Sequence, residues 1–241
     1  MKKATGIIPA RYESRRFPGK PLAPIQGKPM IQWVYERAAQ AALLQKIIIA
    51  TDDDRIFHAC SSFGAEVCMT SPGHRSGTDR IAEAAKAVSS PVIVNIQGDE
   101  PLIRGDMLDS LVEALQDESS FMATLAASNE DLSLQNDPNI VKVVIDSQGS
   151  ALYFSRAAIP FHASDHFLQH IGIYAYHRNF LLDFCRWPPS RLEETERLEQ
   201  LRILERGHRI KVVLTPHSTL SVDTPEDIIK VEEILMKGRH A

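Results

Sequence analysis

The stretch Thr5-Gly-Ile-Ile-Pro-Ala-Arg-Tyr-Glu-Ser-Arg-Arg-Phe-Pro-Gly-Lys-Pro-Leu22 joins a short apolar run to a basic loop. The run 5–8 predicts a first β-strand. The loop behind it carries four cations within ten residues, namely Arg11, Arg15, Arg16 and Lys20. In an open parallel sheet the loop at the carboxyl end of a strand is where ligands bind. Because guanidinium forks and an ammonium group both suit phosphate oxygens, the loop predicts a polyphosphate site.

Outward from this loop, short apolar runs alternate with helical patterns. Further strands are predicted at 46–50, 66–69 and 92–96, and helices at 29–44, 53–63 and 78–88. This alternation is typical of a parallel sheet that is covered on both faces. We therefore predict an α/β fold with a twisted, mostly parallel sheet flanked by helices.

The pattern changes after about residue 120. Strand-like runs at 121–127, 141–145, 151–155 and 172–176 predict a smaller antiparallel section over about 120–177. A helix at 192–206 that ends at Gly207, a strand at 210–214 and a last helix from Pro225 complete the pattern. No linker stands out, so residues 1–241 are expected to form a single domain.

Composition excludes several classes of protein. The 241 residues are 44% hydrophobic with a net charge of −4, which fits a globular enzyme and gives no overall positive field for nucleic acid. No apolar stretch approaches the ~20 residues of a membrane span, so we expect no membrane insertion. Three cysteines in apolar surroundings indicate reduced thiols, and no secretion signal is evident, so a cytoplasmic location is expected.

The basic loop differs from two familiar phosphate-binding loops. Lys20 is followed by Pro21, so the sequence lacks the P-loop pattern, and no G-x-G-x-x-G follows the first strand. A P-loop kinase and a dinucleotide-dependent oxidoreductase are therefore disfavoured.

Two acids are candidate ligands for Mg²⁺. Asp99 follows a buried strand within Asn95-Ile-Gln-Gly-Asp-Glu-Pro101, and Asp223 precedes the last helix. Carboxylates beside nucleotide phosphates are the usual protein ligands of this ion. Each acid also has a structural explanation, since Asp99 fits a turn and Asp223 fits a helix N-cap.

Eight blocks of sequence together resemble a known family. The blocks are 9–22 with its Pro-Ala-Arg and Pro-Gly-Lys-Pro-Leu, 50–52, 76–78, 95–101, 151–156, 170–174, 198–202 and 222–227. In order and spacing they resemble the 3-deoxy-manno-octulosonate cytidylyltransferases, also called CMP-Kdo synthetases. The resemblance covers essentially the whole chain.

The resemblance implies a reaction in which CTP and 3-deoxy-manno-octulosonate (Kdo) give CMP-Kdo and pyrophosphate. It implies a nucleotide-diphospho-sugar transferase type of fold, dependence on Mg²⁺, a cytoplasmic homodimer and a role in lipopolysaccharide biosynthesis. The antiparallel section at 120–177 is expected to contribute to the sugar pocket and the dimer contact.

The resemblance also implies roles for individual residues. The triphosphate would be bound by Arg11, Arg16 and Lys20, and the cytidine by Ser76 and Gly77. The sugar acid would be bound by Gln97, Arg156, His170, Tyr174, Glu199 and Gln200. Asp99 and Asp223 would hold the metal and, with Arg11 and Lys20, form the catalytic set.

Two other functions stay open on the sequence. A cytidylyltransferase for another acid sugar, such as a sialic or pseudaminic acid, would share the first loop. A non-catalytic sensor of CTP or CMP could also keep this loop, although it would not need both Asp99 and Asp223.

Overall fold

The computed structural model describes residues 3–13, 17–116 and 120–238. The chain divides into two compact units. The first unit comprises Lys3–Asp109 and the chain from Thr219 onward, and the second comprises Ser110–Ser218. Within the described ranges, no helix is long and apolar enough to cross a membrane.

The strands and helices alternate along most of the chain. In chain order the strands are β1 (Ala4–Ala10), β2 (Pro24–Ile25), β3 (Lys28–Pro29), β4 (Leu44–Thr51), β5 (Glu66–Met69), β6 (Val92–Asn95), β7 (Met122–Asn129), β8 (Lys142–Ile145), β9 (Ala151–Ser155), β10 (Phe167–His177) and β11 (Ile210–Leu214). The α-helices are α1 (Met30–Ala38), α2 (Asp54–Ser62), α3 (Gly77–Ala85), α4 (Gly105–Ala114), α5 (Arg178–Phe184), α6 (Arg191–Glu196), α7 (Leu201–Glu205) and α8 (Pro225–Gly238).

The first unit contains the parallel sheet that the sequence predicts. Its strands lie in the order β6-β1-β4-β5, and each pair is parallel. Ile7, Ile8 and Ile49 in its centre are fully buried, as are the three valine and isoleucine residues that begin β6. The predicted α/β fold class is confirmed, because buried apolar strands of this kind need helices on the faces of the sheet.

The second unit contains the predicted antiparallel section, and the short pair β2–β3 of the first unit is antiparallel as well. β10 pairs antiparallel with β7 and β8, β8 pairs antiparallel with β9, and β11 pairs parallel with β7. β10 runs from Phe167 to His177 and is longer than the strand predicted at 172–176. Its N-terminal part alternates too weakly in sequence to be recognised without its partner strands.

The helix predicted at 29–44 is too long. α1 ends at Ala38, and Leu44 already belongs to β4. The backbone N–H groups of Ala42 and Leu43 donate to the carboxylate of Asp109, at 2.9 and 2.8 Å. The Asp109 side chain on α4 thus stabilises a turn at this place. The apolar residues of the turn keep the spacing of a helix, which is why the predicted helix is too long.

The helix predicted at 192–206 is wrong in its middle. Arg197 takes a left-handed conformation with φ 56°, and α6 and α7 lie on either side of it. The N–H of Leu198 donates back to Glu193 O at 3.2 Å, which closes α6 as glycine often does elsewhere. The predicted end at Gly207 is confirmed by its φ of 79°.

A small apolar cluster fastens the C-terminal segment to the rest of the first unit. The buried residues of this cluster are Ile25, Met30, Leu102, Val222, Val231 and Leu235. Val222 has no exposed surface. Burial of an apolar side chain is worth about 1.5–3 kcal/mol, so this contact fixes the backbone next to Asp223.

Replacement of Asp109 by alanine should destabilise the protein by about 1–3 kcal/mol, because two backbone N–H groups lose their acceptor. Urea unfolding measures this loss. The control is Asp183→Ala, which removes an exposed ion pair with Arg186 and should change stability by less than about 0.5 kcal/mol. Equal effects of the two substitutions would contradict the proposed role of Asp109.

Candidate active site

The basic loop leaves β1 at Ala10 and folds back on itself. Gly19 N–H donates to Tyr12 O at 2.8 Å, and a short 3-10 turn follows at Lys20–Leu22. Gly19 has a φ of 73°, and a Cβ there would lie 3.2 Å from the Tyr12 ring. Glycine is therefore required immediately before Lys20. The predicted triphosphate residue Arg16 lies outside the described residues.

The Lys20 ammonium group brings the two predicted metal ligands together. Its Nζ lies 2.5 Å from Asp99 Oδ2 and 3.7 Å from Asp223 Oδ1. It also donates to the backbone carbonyl of Val222 at 2.9 Å. The Lys20 side chain is only 15% exposed, whereas Asp99 and Asp223 are 27% and 45% exposed. Both carboxylates are therefore accessible to a ligand and face one cation.

Backbone contacts hold this arrangement in place. The N–H of Val222 donates to Asp99 O at 2.9 Å, which joins the segment before α8 to the loop after β6. At Gly98 a Cβ would lie 3.0 Å from Pro9 O, so a larger residue would separate the loops that follow β1 and β6. Glycine at this position therefore permits the close approach that the site needs.

A cavity of about 200 Å³ lies beside Lys20 in the first unit. Five predicted site residues line it, namely Arg11, Lys20, Gly77, Gln97 and Asp99. These residues come from three separate parts of the sequence, at 11–20, 77 and 97–99. Residues from the predicted triphosphate, cytidine, sugar-acid and metal sets therefore line the same cavity.

Arg11 offers an unused hydrogen-bond donor at this cavity. Its Nη2 is buried and has no hydrogen-bond partner among the described residues. Burial, together with the charge of Arg80, lowers the pKa of the Arg11 guanidinium. A poorly solvated cation with a spare N–H group is suited to an anionic ligand.

Ser76 and Gly77 form the beginning of α3. The Ser76 hydroxyl accepts a hydrogen bond from Asp79 N at 3.0 Å and so caps the helix. Arg80 on the same helix is fully buried, and it donates to Asp52 at 2.6 Å and to Thr70. Arg80 is fully buried and Asp52 partly buried, and their ion pair fixes α3 against the residues that follow β4 and β5. This pair could not be predicted from the sequence, because Asp52 and Arg80 meet only in the folded chain.

Glu100 is a third acid at the site that sequence reasoning missed. Its side chain is 7% exposed, and Oε2 has no hydrogen-bond partner among the described residues. Burial, reinforced by the charge of Asp99, raises the pKa of Glu100 to about 8. Glu100 therefore holds its proton more firmly than an exposed glutamate does. The turn-forming sequence around Glu100 gave no sign of its burial.

Three predicted sugar-acid residues lie together in the second unit. The ring centroids of His170 and Tyr174 are 5.6 Å apart, and Tyr174 OH donates to Gln200 Oε1 at 3.4 Å. His170 Nε2 is 2.9 Å from the Thr124 hydroxyl. Gln200 Nε2 is buried and lacks a hydrogen-bond partner in the described part of the chain. This group therefore has an available donor for a hydroxyl or carboxylate oxygen.

Arg156 and Glu199 have other partners in the same unit. Arg156 Nε donates to Glu196 O at 3.1 Å, and Nη1 donates to Pro138 O at 2.8 Å. Glu199 Oε1 lies 3.7 Å from Arg202. The guanidinium plane of Arg156 is thus oriented by backbone carbonyl groups.

Three comparisons place the chain among known proteins. The family model described as "Cytidylyltransferase" matches residues 5–210. A 3-deoxy-manno-octulosonate cytidylyltransferase of Syntrophobacter fumaroxidans is 54% identical, with 97% of each chain covered. The enzyme of the same name from Geobacter sulfurreducens is 49% identical, over 96% of this chain and 98% of that one.

A solved structure agrees with these relatives. It is a CMP:2-keto-3-deoxy-manno-octonic acid synthetase in complex with CTP, 41% identical, with a TM-score of 0.93. The match covers 98% of this chain and 99% of that one. The chain therefore belongs to the 3-deoxy-manno-octulosonate cytidylyltransferase family, and the resemblance predicted from the sequence is confirmed.

The buried imidazole of His170 predicts a pH dependence of stability. Burial lowers its pKa from 6.5 to about 3, so the unfolded chain binds this proton more tightly than the folded protein does. Stability is therefore lost as the pH falls from about 6.5 towards 3. Between pH 7 and pH 5, the wild type should lose about 2 kcal/mol more than His170→Gln in urea unfolding.

The control for this experiment is His166→Gln, at a largely exposed histidine of the same unit. It should keep the wild-type response to pH. If His170→Gln lost stability between pH 7 and pH 5 as steeply as the wild type, His170 would not be the group responsible.

Proposed function

We propose that the chain transfers CMP from CTP to Kdo and releases pyrophosphate. The observation that carries this proposal is the contact of Lys20 with both Asp99 and Asp223 at the cavity that Arg11 lines. A cationic loop and two acids that ligands can reach, at one place, suit a nucleoside triphosphate and its metal. Membership of the family supplies the identity of the sugar.

Asp99 and Asp223 fit a magnesium ion. Mg²⁺ usually takes one or two carboxylates and fills its remaining positions with water and phosphate oxygens. The two acids here already face a common cation, the Lys20 ammonium group. Among the described residues, no group of three or more His, Cys, Asp or Glu side chains is placed to hold a metal by itself. Bound Mg²⁺ would supply charge neutralisation and lower the pKa of the attacking hydroxyl.

The residues of the chain act by position and charge. In an in-line displacement at the α-phosphorus, negative charge grows on the leaving β- and γ-phosphates. Arg11 and Lys20 would stabilise this charge, as would Arg16. Loss of one such donor at comparable sites costs about 3 kcal/mol in the transition state.

The sugar acid would be recognised by the polar side chains predicted for it. Arg156 would bind the carboxylate as a fork. Gln97, His170, Tyr174, Glu199 and Gln200 would bind hydroxyl groups. A pocket of hydrogen-bonding groups rejects an analogue that lacks a hydroxyl, because its own polar atoms would stay unpaired.

Three further predictions from the sequence complete the proposal. We propose a cytoplasmic enzyme whose product enters lipopolysaccharide biosynthesis. We also propose a homodimer whose contact includes the section at 120–177. The exposed side chains of Leu152 on β9 and Phe161 support such a contact, since they are 62% and 89% exposed.

A pyrophosphate-release assay tests the proposed function. With Mg²⁺ and CTP, we expect release with Kdo and much less with a sialic or pseudaminic acid. ATP, GTP and UTP should not replace CTP. Turnover only with another acid sugar would change the substrate, and CTP binding without turnover for any acid sugar would favour a sensor.

Substitution of either acid should remove activity and preserve the fold. We expect Asp99→Asn and Asp223→Asn each to lower kcat by about 100-fold or more, as for loss of a single charge-stabilising group. Thermal melting should show folded proteins. Wild-type turnover by either variant with Mg²⁺ would contradict a shared metal site.

Lys20 should contribute more to CTP binding than to CMP binding. CMP lacks the β- and γ-phosphates that Lys20 would contact. In calorimetric titrations, Lys20→Ala should therefore lower the affinity for CTP much more than the affinity for CMP. Lys28→Ala is the matched control, because its ammonium pairs with Glu36 and does not line the cavity. An equal loss of affinity for both nucleotides in Lys20→Ala would contradict the proposed role of Lys20.

The homodimer is tested by light scattering after size exclusion. We expect a dimer for the wild type and a shift towards monomer for Leu152→Glu, because a buried carboxylate in an apolar contact is costly. Leu214→Glu, at a leucine 57% exposed on β11, should remain dimeric. A monomeric wild type would refute the homodimer, and an unaffected Leu152→Glu dimer would place the contact elsewhere.

A further inference from the structure

Lys142 is a buried cation whose hydrogen bonds all go to backbone carbonyl groups. It lies at the start of β8 and has no exposed surface. Its Nζ donates to Asp137 O at 3.0 Å, Ile140 O at 2.7 Å and Arg156 O at 2.5 Å. An ammonium group has three N–H donors, so all of them are used. Burial lowers the pKa of Lys142, which shows that the position is costly for a cation.

These three carbonyl groups come from two segments of the chain that both support Arg156. One belongs to Arg156 itself. The other two belong to Asp137 and Ile140, on either side of Pro138-Asn139. Pro138 O accepts the hydrogen bond from Arg156 Nη1 at 2.8 Å. Lys142 therefore holds both the backbone of Arg156 and the loop that orients its guanidinium group.

Glu196 completes the support of Arg156 from α6. Its carboxylate accepts from Arg156 N at 3.0 Å and from Ser155 Oγ at 2.7 Å, and its backbone O accepts from Arg156 Nε at 3.1 Å. Two of the five N–H donors of the guanidinium group are thus used by backbone oxygens. The donors that remain can form a fork for a carboxylate.

We propose that Lys142 is a positioning residue that sets the Arg156 guanidinium for the carboxylate of the sugar acid. The inference rests on the proposed function, in which Arg156 binds that carboxylate. Lys142 does not need to touch the substrate. Its effect should therefore be specific to the sugar acid and should spare CTP, whose predicted ligands lie in the first unit.

The test compares the KM values of the two substrates in Lys142→Met. Methionine is of similar length but cannot donate to the three carbonyl groups. We expect the KM for Kdo to rise about 10-fold or more, since a misplaced Arg156 guanidinium would bind the sugar carboxylate less well. The KM for CTP should change less than about 2-fold. The matched control is Lys211→Met, whose ammonium donates to Gln148 O in a more exposed setting. It should leave both KM values unchanged.

A second variant covers the outcome in which Lys142→Met does not fold. Asp137 Oδ1 accepts from Asn139 N at 2.8 Å and from Asn139 Nδ2 at 3.0 Å, and both bonds are exposed. Asp137→Ala loosens the same loop without emptying a buried site. It should raise the KM for Kdo about 3-fold or more and spare CTP, because the Pro138 carbonyl is less well fixed.

The outcomes separate the inference from the proposed function. A parallel rise in both KM values for Lys142→Met, or an unchanged KM for Kdo in a folded variant, would overturn the inference. If Lys142→Met does not fold, an unchanged KM for Kdo in Asp137→Ala would overturn it. Failure of the proposed function would appear in the wild type, as absence of turnover with Kdo. If the wild type used another acid sugar, the same comparison would be made with that acid.

Discussion

The contact of one ammonium group with two carboxylates organises the proposed nucleotide site of the first unit. Lys20 reaches Asp99, 79 positions away, and the carbonyl of Val222, 202 positions away. Two carboxylates at one place repel each other, and the Lys20 ammonium group between Asp99 and Asp223 offsets that repulsion. The contact also requires the chain after residue 218 to return to the loop behind β1. The apolar cluster around Val222 stabilises that return, and the glycines at 19 and 98 give the loops enough room.

Charge is distributed around this contact in a way that suits an anionic substrate in an acidic protein. The whole chain has a net charge of −4, so attraction for phosphate must be local. Burial beside Asp99 raises the pKa of Glu100 to about 8, so Glu100 adds less negative charge to the site than an exposed glutamate would. Arg80 is neutralised by Asp52 and supports α3, while Arg11 keeps a buried donor unused. A triphosphate with a divalent metal would match both the spare cationic donors and the two acids.

Most of the fold could be predicted from the sequence, because buried parallel strands consist of continuous apolar runs, such as those at 46–50 and 92–96. It failed where tertiary contacts override local pattern. α1 stops early because Asp109 binds the turn at Ala42, and α6 ends at Arg197 without a glycine. In the site, residues directly after strands could be predicted, because strand ends meet at one edge of a parallel sheet. The burial of Glu100 and the three carbonyl groups around Lys142 could not, since both depend on chain segments brought together only by folding.

The proposed shared metal site can be tested most directly with Mn²⁺ as a paramagnetic substitute for Mg²⁺. Electron paramagnetic resonance gives the affinity of Mn²⁺ for the CTP-loaded protein, and ³¹P relaxation reports its closeness to the phosphates. We expect one Mn²⁺ beside the phosphates of bound CTP, with affinity that falls about 10-fold or more when either Asp99 or Asp223 is replaced by asparagine, as for loss of a charged metal ligand. Unchanged Mn²⁺ affinity in either variant, with CTP still bound, would show that the two acids do not serve one ion.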